Sequence, residues 1–202
     1  MSTPSPRLVS WENGTDLVIE LLLARDVETV WDALTDSDTA AAWFAPFRLG
    51  EESADAGDDA DVPASRPITF ELEDIDLSGS VLSCEEYVHV LLELDDFGVL
   101  GIRLLPLEGD SGEETLLVFT QTAADVDTAR AQATEFGPMW DTHLRLFART
   151  FELDATEATE PELDATYSDL ALEVADAGDG TGSGDSTVSG DADAVDSDGV
   201  ES

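Results

Sequence analysis

Two histidines, one cysteine and eight arginines are the groups beyond carboxylates and hydroxyls that could do chemistry in this chain of 202 residues. His143 lies on an apolar helical stripe with Met139, Trp140, Leu144 and Phe147. It is therefore either a buried, hydrogen-bonded ring or an acid–base group, since imidazole titrates nearest neutral pH. His89 alternates with Val88 and Val90 and shares a face with Tyr87, Leu91 and Glu93, a position that favours solvent. Two histidines so far apart, with no Cys partner, give no zinc spacing. Cys84 has no base beside it in sequence and falls at a strand end, which argues against a nucleophile. Glu71, Glu73, Asp74 and Asp76 offer the carboxylates an acid–base pair needs. Such clusters are expected by chance, however, where Asp and Glu number 47. Arg103 alternates with Gly101 and Leu105; pointing inward it could pair with a ligand carboxylate, pointing outward it would neutralise acidic surface. No Gly-rich phosphate loop, Ser elbow or metal motif is present, and no cofactor is implied.

The aromatic residues form two groups. Trp43, Phe44 and Phe47 cluster near residue 45. Trp140, Leu144 and Phe147 follow one another at spacings of four and three, which puts them on one helix face. Such a face fills the concavity of a sheet or lines a pocket within it. Trp31 reads as an ordinary core residue.

These groups must be held by regular elements. Residues 15–24 alternate, with Leu17, Ile19, Leu21 and Leu23 on one side, and read as a strand. Val27, Val30, Trp31 and Leu34 recur at helical spacing behind a plausible N-cap, Asp26. Thr35–Asp38 breaks that helix and can cap a short second one carrying Ala42, Trp43 and Phe44 and ending by Pro46. Residues 51–65 read as a solvated loop. Strands follow at 68–72, 77–83, 87–94, 99–105 and 115–122, separated by turn signals that imply antiparallel neighbours. A final helix spans 127–153, and Gly137-Pro138 within it predicts a kink or a fresh start.

Composition bounds the rest. The formal net charge is −39, and every basic residue is Arg. Such a surface repels phosphate backbones and anionic membranes, so neither nucleic acid nor membrane is an expected partner. It suits a high-salt cytoplasm, where ions screen self-repulsion. A single cysteine fits a reducing compartment; no secretory signal or span of about 20 apolar residues is visible. Residues 1–14 read as an N-terminal extension, 15–153 as one domain and 154–202 as an acidic tail. The tail is expected to be mostly disordered, with a short docking helix at 161–176.

The order strand, helix, short helix, five strands, long helix is that of the helix-grip fold. VWDALTDSDTAAAWFAPF resembles the signature of the activator-of-Hsp90-ATPase-like branch of the START-like superfamily. GSVLSCEEYVHVLLEL, IRLLPL with GEETLLVFTQTA, and FGPMWDTHLRLFARTF resemble its later blocks, in order, over residues 15–153. The resemblance implies an α+β fold, a curved antiparallel sheet wrapped around a long C-terminal helix. Trp43, Phe44 and Phe47 would sit at a cavity mouth, with Trp140, His143, Leu144 and Phe147 on the helix and Arg103 on the sheet. The implied function is a non-enzymatic binding module that holds a small apolar ligand or contacts a chaperone or other protein partner. The alternative is a polyketide cyclase- or hydrolase-like enzyme using the same cavity, which would need converging polar groups.

Overall fold

Strict alternation along 15–24 and 112–123 dictates the centre of the molecule. In the computed structural model, which describes residues 2–51, 65–109 and 112–175, these stretches are β2 (Gly14–Leu23) and β8 (Gly112–Ala123). They pair antiparallel, Leu17 opposite Gln121 and Leu21 opposite Leu117. The inward set Leu17, Ile19, Leu21 and Leu23 is fully buried. Around this pair the remaining strands complete one nine-stranded sheet in the order β3-β4-β5-β6-β7-β8-β2-β1-β9. The others are β1 (Ser5–Trp11), β3 (Phe47–Leu49), β4 (Arg66–Glu71), β5 (Asp76–Glu85), β6 (His89–Leu94), β7 (Gly98–Gly109) and β9 (Leu172–Val174). All pairings are antiparallel except β9 on β1.

The helices are α1 (Val27–Thr35), α2 (Ser37–Ala40), α3 (Val126–Thr150) and α4 (Glu160–Ser168). One capping device starts the first three. Asp26, Asp36 and Asp125 each accept at 2.8 Å from the backbone N–H three residues on, and each also accepts from that residue's threonine hydroxyl. These bonds to the ionised form hold all three carboxyls below the usual range. Helix α3 runs unbroken through Pro138, so the expected fresh start does not occur; packing on both sides of the helix outweighs the one missing backbone bond. Helix α2 stops at Ala40, and Trp43 and Phe44 sit in the turn beyond it rather than on a helix.

Both ends of the described chain join the sheet. Residues 1–14, read as an extension, contain β1, which pairs with β2 along its whole length. The helix expected over 161–176 ends at Ser168, and the chain then adds β9 to β1. Half of the chain's eight arginines reach this C-terminal segment: Arg7 to Glu173, Arg130 to the Leu170 carbonyl, Arg145 to the Thr156 carbonyl and Arg149 to Glu157. Its apolar anchors Leu163, Tyr167 and Leu170 are buried, so residues through Val174 are built into the fold. The disorder expected beyond Gly178, and the loop expected over 51–65 apart from its two end residues, lie outside the described residues.

Candidate functional site

Helix α3 carries two kinds of face. One points at the sheet with Trp140, Leu144 and Phe147, all buried. Trp140 is fixed by a polar relay: its indole N–H donates to Gln121 Oε1 at 3.2 Å, and Gln121 Nε2 donates to the Phe97 carbonyl at 2.9 Å. Gln121 itself is 1% exposed, so this buried amide has both its polar ends engaged by protein. Between this face and strands β3 to β8 lies a cavity of about 320 Å³, closed at one end by α1 and the turn after α2. Ser37 ties that turn to the sheet. Its hydroxyl donates to the Phe47 carbonyl and accepts from the Phe47 N–H, both at 2.8 Å, which places Phe47 on the wall.

The wall is almost wholly apolar. Phe44 packs edge-on to Phe70 at 5.1 Å between centroids and against Trp140 at 5.9 Å; Phe119 packs on Trp140 at 5.2 Å. Trp31 presents its ring to the cavity from α1 and meets Tyr87 edge-on at 6.0 Å. Tyr87 is held at φ +63°, a left-handed conformation unusual for an aromatic residue. This contact pins the β5–β6 hairpin tip to α1. Among the described residues no carboxylate lines the cavity, and besides the indoles of Trp31, Trp43 and Trp140 the polar lining side chains are Thr35, Arg66, Cys84 and His143. The Thr35 hydroxyl donates to the Trp31 carbonyl at 2.9 Å. Arg66 is exposed, with Nε donating to the Gly50 carbonyl. Partial desolvation raises the Cys84 pKa, although the residue is exposed.

His143 is the exception. Its Nδ1 lies 2.6 Å from the Trp43 carbonyl oxygen. A carbonyl can only accept, so Nδ1 carries the proton. The ring is wedged edge-on against Phe44 at 5.1 Å. Burial lowers its pKa, more than the bond to the Trp43 carbonyl raises it, which favours the neutral ring.

Six of the eight residues expected at a cavity line this one: Trp43, Phe44, Phe47, Trp140, His143 and Leu144. Phe147 does not. It is fully buried one layer deeper, edge-on to Trp43 at 5.0 Å and to Phe151 at 5.1 Å, because α3 has by then crossed from the cavity to solid core. Arg103 does not either. It pairs with His89 and Val118 on the outer face and is exposed, because Ile102 and Leu104 take the inward positions beside it. His89 is partly buried rather than free: its Nε2 lies 2.8 Å from Ser83 Oγ on that outer face. Sequence reading missed Trp31, Phe70 and Phe119 as wall residues, although each sits on an inward stripe visible as periodicity. Among the described residues no group of three or more His, Cys, Asp or Glu side chains could hold a metal ion, and no helix is long and apolar enough to cross a membrane.

No protein-family model matches the chain, and no curated protein sequence matches it significantly. Solved structures do match its fold. A conserved protein of unknown function, EF2215 from Enterococcus faecalis, superposes with a TM-score of 0.55 at 17% identity, covering 81% of this chain and 87% of its own. The crystal structure of CalU16 from Micromonospora echinospora gives 0.52 at 16% identity, covering 83% and 93%, and its solution structure gives 0.51 at 18% identity, covering 80% and 81%. At such identities the likeness is one of fold: a curved antiparallel sheet against a long helix, the helix-grip architecture.

Proposed function

We propose that this protein is a non-enzymatic binding module that holds a small apolar ligand between α3 and the curved sheet. The observation that carries this reading is the cavity of about 320 Å³ with an almost wholly apolar wall. That size falls at the lower end of small-molecule sites. Burying a charged group there would be costly without a partner, whereas a neutral ligand loses little. A ligand that hides about 200 Å² of apolar surface gains on the order of 5 kcal/mol, enough for sub-millimolar binding. An enzyme in the same cavity would need an acid–base pair, and no carboxylate lines this cavity with His143 among the described residues; Glu160 shares only a second pocket with its ring.

The test is uptake of a fluorescent apolar probe. Wild type takes it up, and Leu144→Trp, which fills the cavity from α3, blocks uptake while the protein stays folded. A wild type that takes up no probe would remove the ligand-binding reading.

Contact with a protein partner is a second reading, favoured by a separate observation. On the outer face Leu22 and Leu105 both lie opposite Leu116. Leu22, Leu105 and the nearby Leu107 are 43%, 39% and 43% exposed. The run from Val30 to Phe47 supports placing the chain in the activator-of-Hsp90-ATPase-like branch, where a chaperone is the partner to try first.

The charge of −39 supports a halophilic, cytoplasmic setting. The unfolding midpoint is then expected to rise by many degrees between low and multimolar KCl, as ions screen the acidic surface. A flat response would remove that setting.

A further inference from the structure

We infer that the cavity selects ligands which donate one hydrogen bond, phenols or alcohols of otherwise apolar body, and that Nε2 of His143 is the atom that selects them. The inference rests on the binding reading above and adds to it a ligand class and a specificity residue.

The other polar groups on the wall are donors or are already engaged by protein. Trp140 and Thr35 have their donors occupied by Gln121 Oε1 and the Trp31 carbonyl; the indoles of Trp31 and Trp43 can only donate, and the Trp43 N–H is buried without a partner. Arg66 sits exposed with Nε turned to the Gly50 carbonyl, and Cys84 keeps a weakly polar thiol. His143 differs from all of these. Its tautomer is set by the Trp43 carbonyl, which takes the Nδ1 proton. In the neutral ring the other nitrogen is then a bare lone pair, an acceptor only. No protein group among the described residues bonds to it, and it is not buried; the ring lines this cavity and also a second one with Met139, Thr142, Glu160 and Leu163. The ring lines the cavity between Phe44 and Trp140. An accessible acceptor of fixed tautomer in an apolar enclosure discriminates by chemistry. A ligand hydroxyl that reaches it regains the bond it gave up to water. A hydrocarbon leaves the nitrogen unpaired, and a carboxylate sets lone pair against lone pair. Selectivity of this kind exceeds what cavity shape alone gives, because the cost of mismatch falls on a polar atom in an apolar site.

Two probes of nearly equal size separate the terms: 2-naphthol, which donates, and 2-methylnaphthalene, which cannot. With wild type we expect 2-naphthol to bind about tenfold more tightly, the worth of one hydrogen bond in such a setting. In His143→Phe the tenfold preference disappears while 2-methylnaphthalene still binds. If 2-methylnaphthalene binds wild type but 2-naphthol shows no preference, or if the preference survives in His143→Phe, the role of Nε2 is overturned and the binding reading stands. If neither probe binds wild type, both fall. Should His143→Phe not fold, the wild type carries a direct readout. The ¹⁵N resonance of the unprotonated His143 ring nitrogen, assigned by its persistence in His89→Ala, shifts on adding 2-naphthol and not on adding 2-methylnaphthalene. The same response to both probes would overturn the role of Nε2.

Discussion

The two faces of α3 solve opposite packing problems. Toward the sheet the helix presents Trp140, Leu144 and His143, large groups that border a cavity between the helix and the strands, with Trp140 resting on β8. Toward the C-terminal segment it presents Ala133, Gly137 and Asp141, all buried, and there the fit is tight. A Cβ on Gly137 would come within 2.1 Å of the Tyr167 ring. Beside that ring Asp141, 1% exposed, accepts from the Tyr167 hydroxyl at 3.0 Å and from Arg145 Nε at 2.5 Å. Burial beside this carboxylate pushes the Tyr167 hydroxyl far above its ordinary pKa. Bulky side chains thus bound an empty volume while small ones bound a full one. Side-chain size says less about packing density than the shape of the partner does.

The largest expected effect is on the tight face. Tyr167→Ala removes a ring 2% exposed and leaves one bond to Asp141 unmade; we expect a loss of about 3–5 kcal/mol in urea denaturation. A loss below about 1 kcal/mol would show that α4 is a loose appendage. Gly137→Ala comes next. The new methyl must displace Tyr167, at a cost of about 1–3 kcal/mol. Leu144→Trp, on the open face, adds far more volume yet should cost less than about 1 kcal/mol, because the cavity takes up the indole. If the order of those two losses is reversed, the contrast between the faces fails.

The smallest effect is one of pH. Burial holds the folded imidazole of His143 below its ordinary value of 6.5, so on acidification the unfolded chain binds the proton first. Stability therefore falls as pH drops below about 6.5, and the fall ends once the folded ring is also protonated. Measured as the difference between wild type and His143→Gln, carboxylate contributions common to both cancel. Parallel profiles for the two proteins would show that the ring is not desolvated.

The sheet side of this arrangement was legible in the sequence and the tail side was not. Period-two runs gave β2 and β4 to β8 to within a few residues, most clearly in β2 and β8, where alternate residues are buried along most of the strand. The stripe on α3 gave Trp140 and Leu144. Strand β1 was missed because its run SPRLVSW holds only Leu8, Val9 and Trp11 as large apolar residues, too few for a period to emerge. Arg103 and Phe147 were misplaced for a related reason. Periodicity says which residues share a face, but where a helix leaves a cavity for solid core depends on the crossing of elements distant in sequence. The tight face is hardest to read of all. Ala133, Gly137 and Asp141 do not look like an interface until Tyr167 is set against them.

The seam between the chain's two ends bears on how the protein is made. The Ser2 N–H donates to the Asp154 carbonyl at 3.1 Å, the Leu8 N–H to the Ala171 carbonyl at 3.0 Å and the Ala175 N–H to the Ser10 carbonyl at 2.8 Å. Strand β1 therefore waits for nearly the last residues described here. Its inner neighbour β2 likewise waits for β8, some hundred residues on in the ladder of Leu17 with Gln121. A topology dominated by such distant pairings is slow to close. Until β8 is made the β1–β2 hairpin has both edges open to pairing with another nascent chain, and the β1 edge stays open until β9 follows. A dense like charge on every copy is one physical means of keeping such edges apart until the ends of the chain meet.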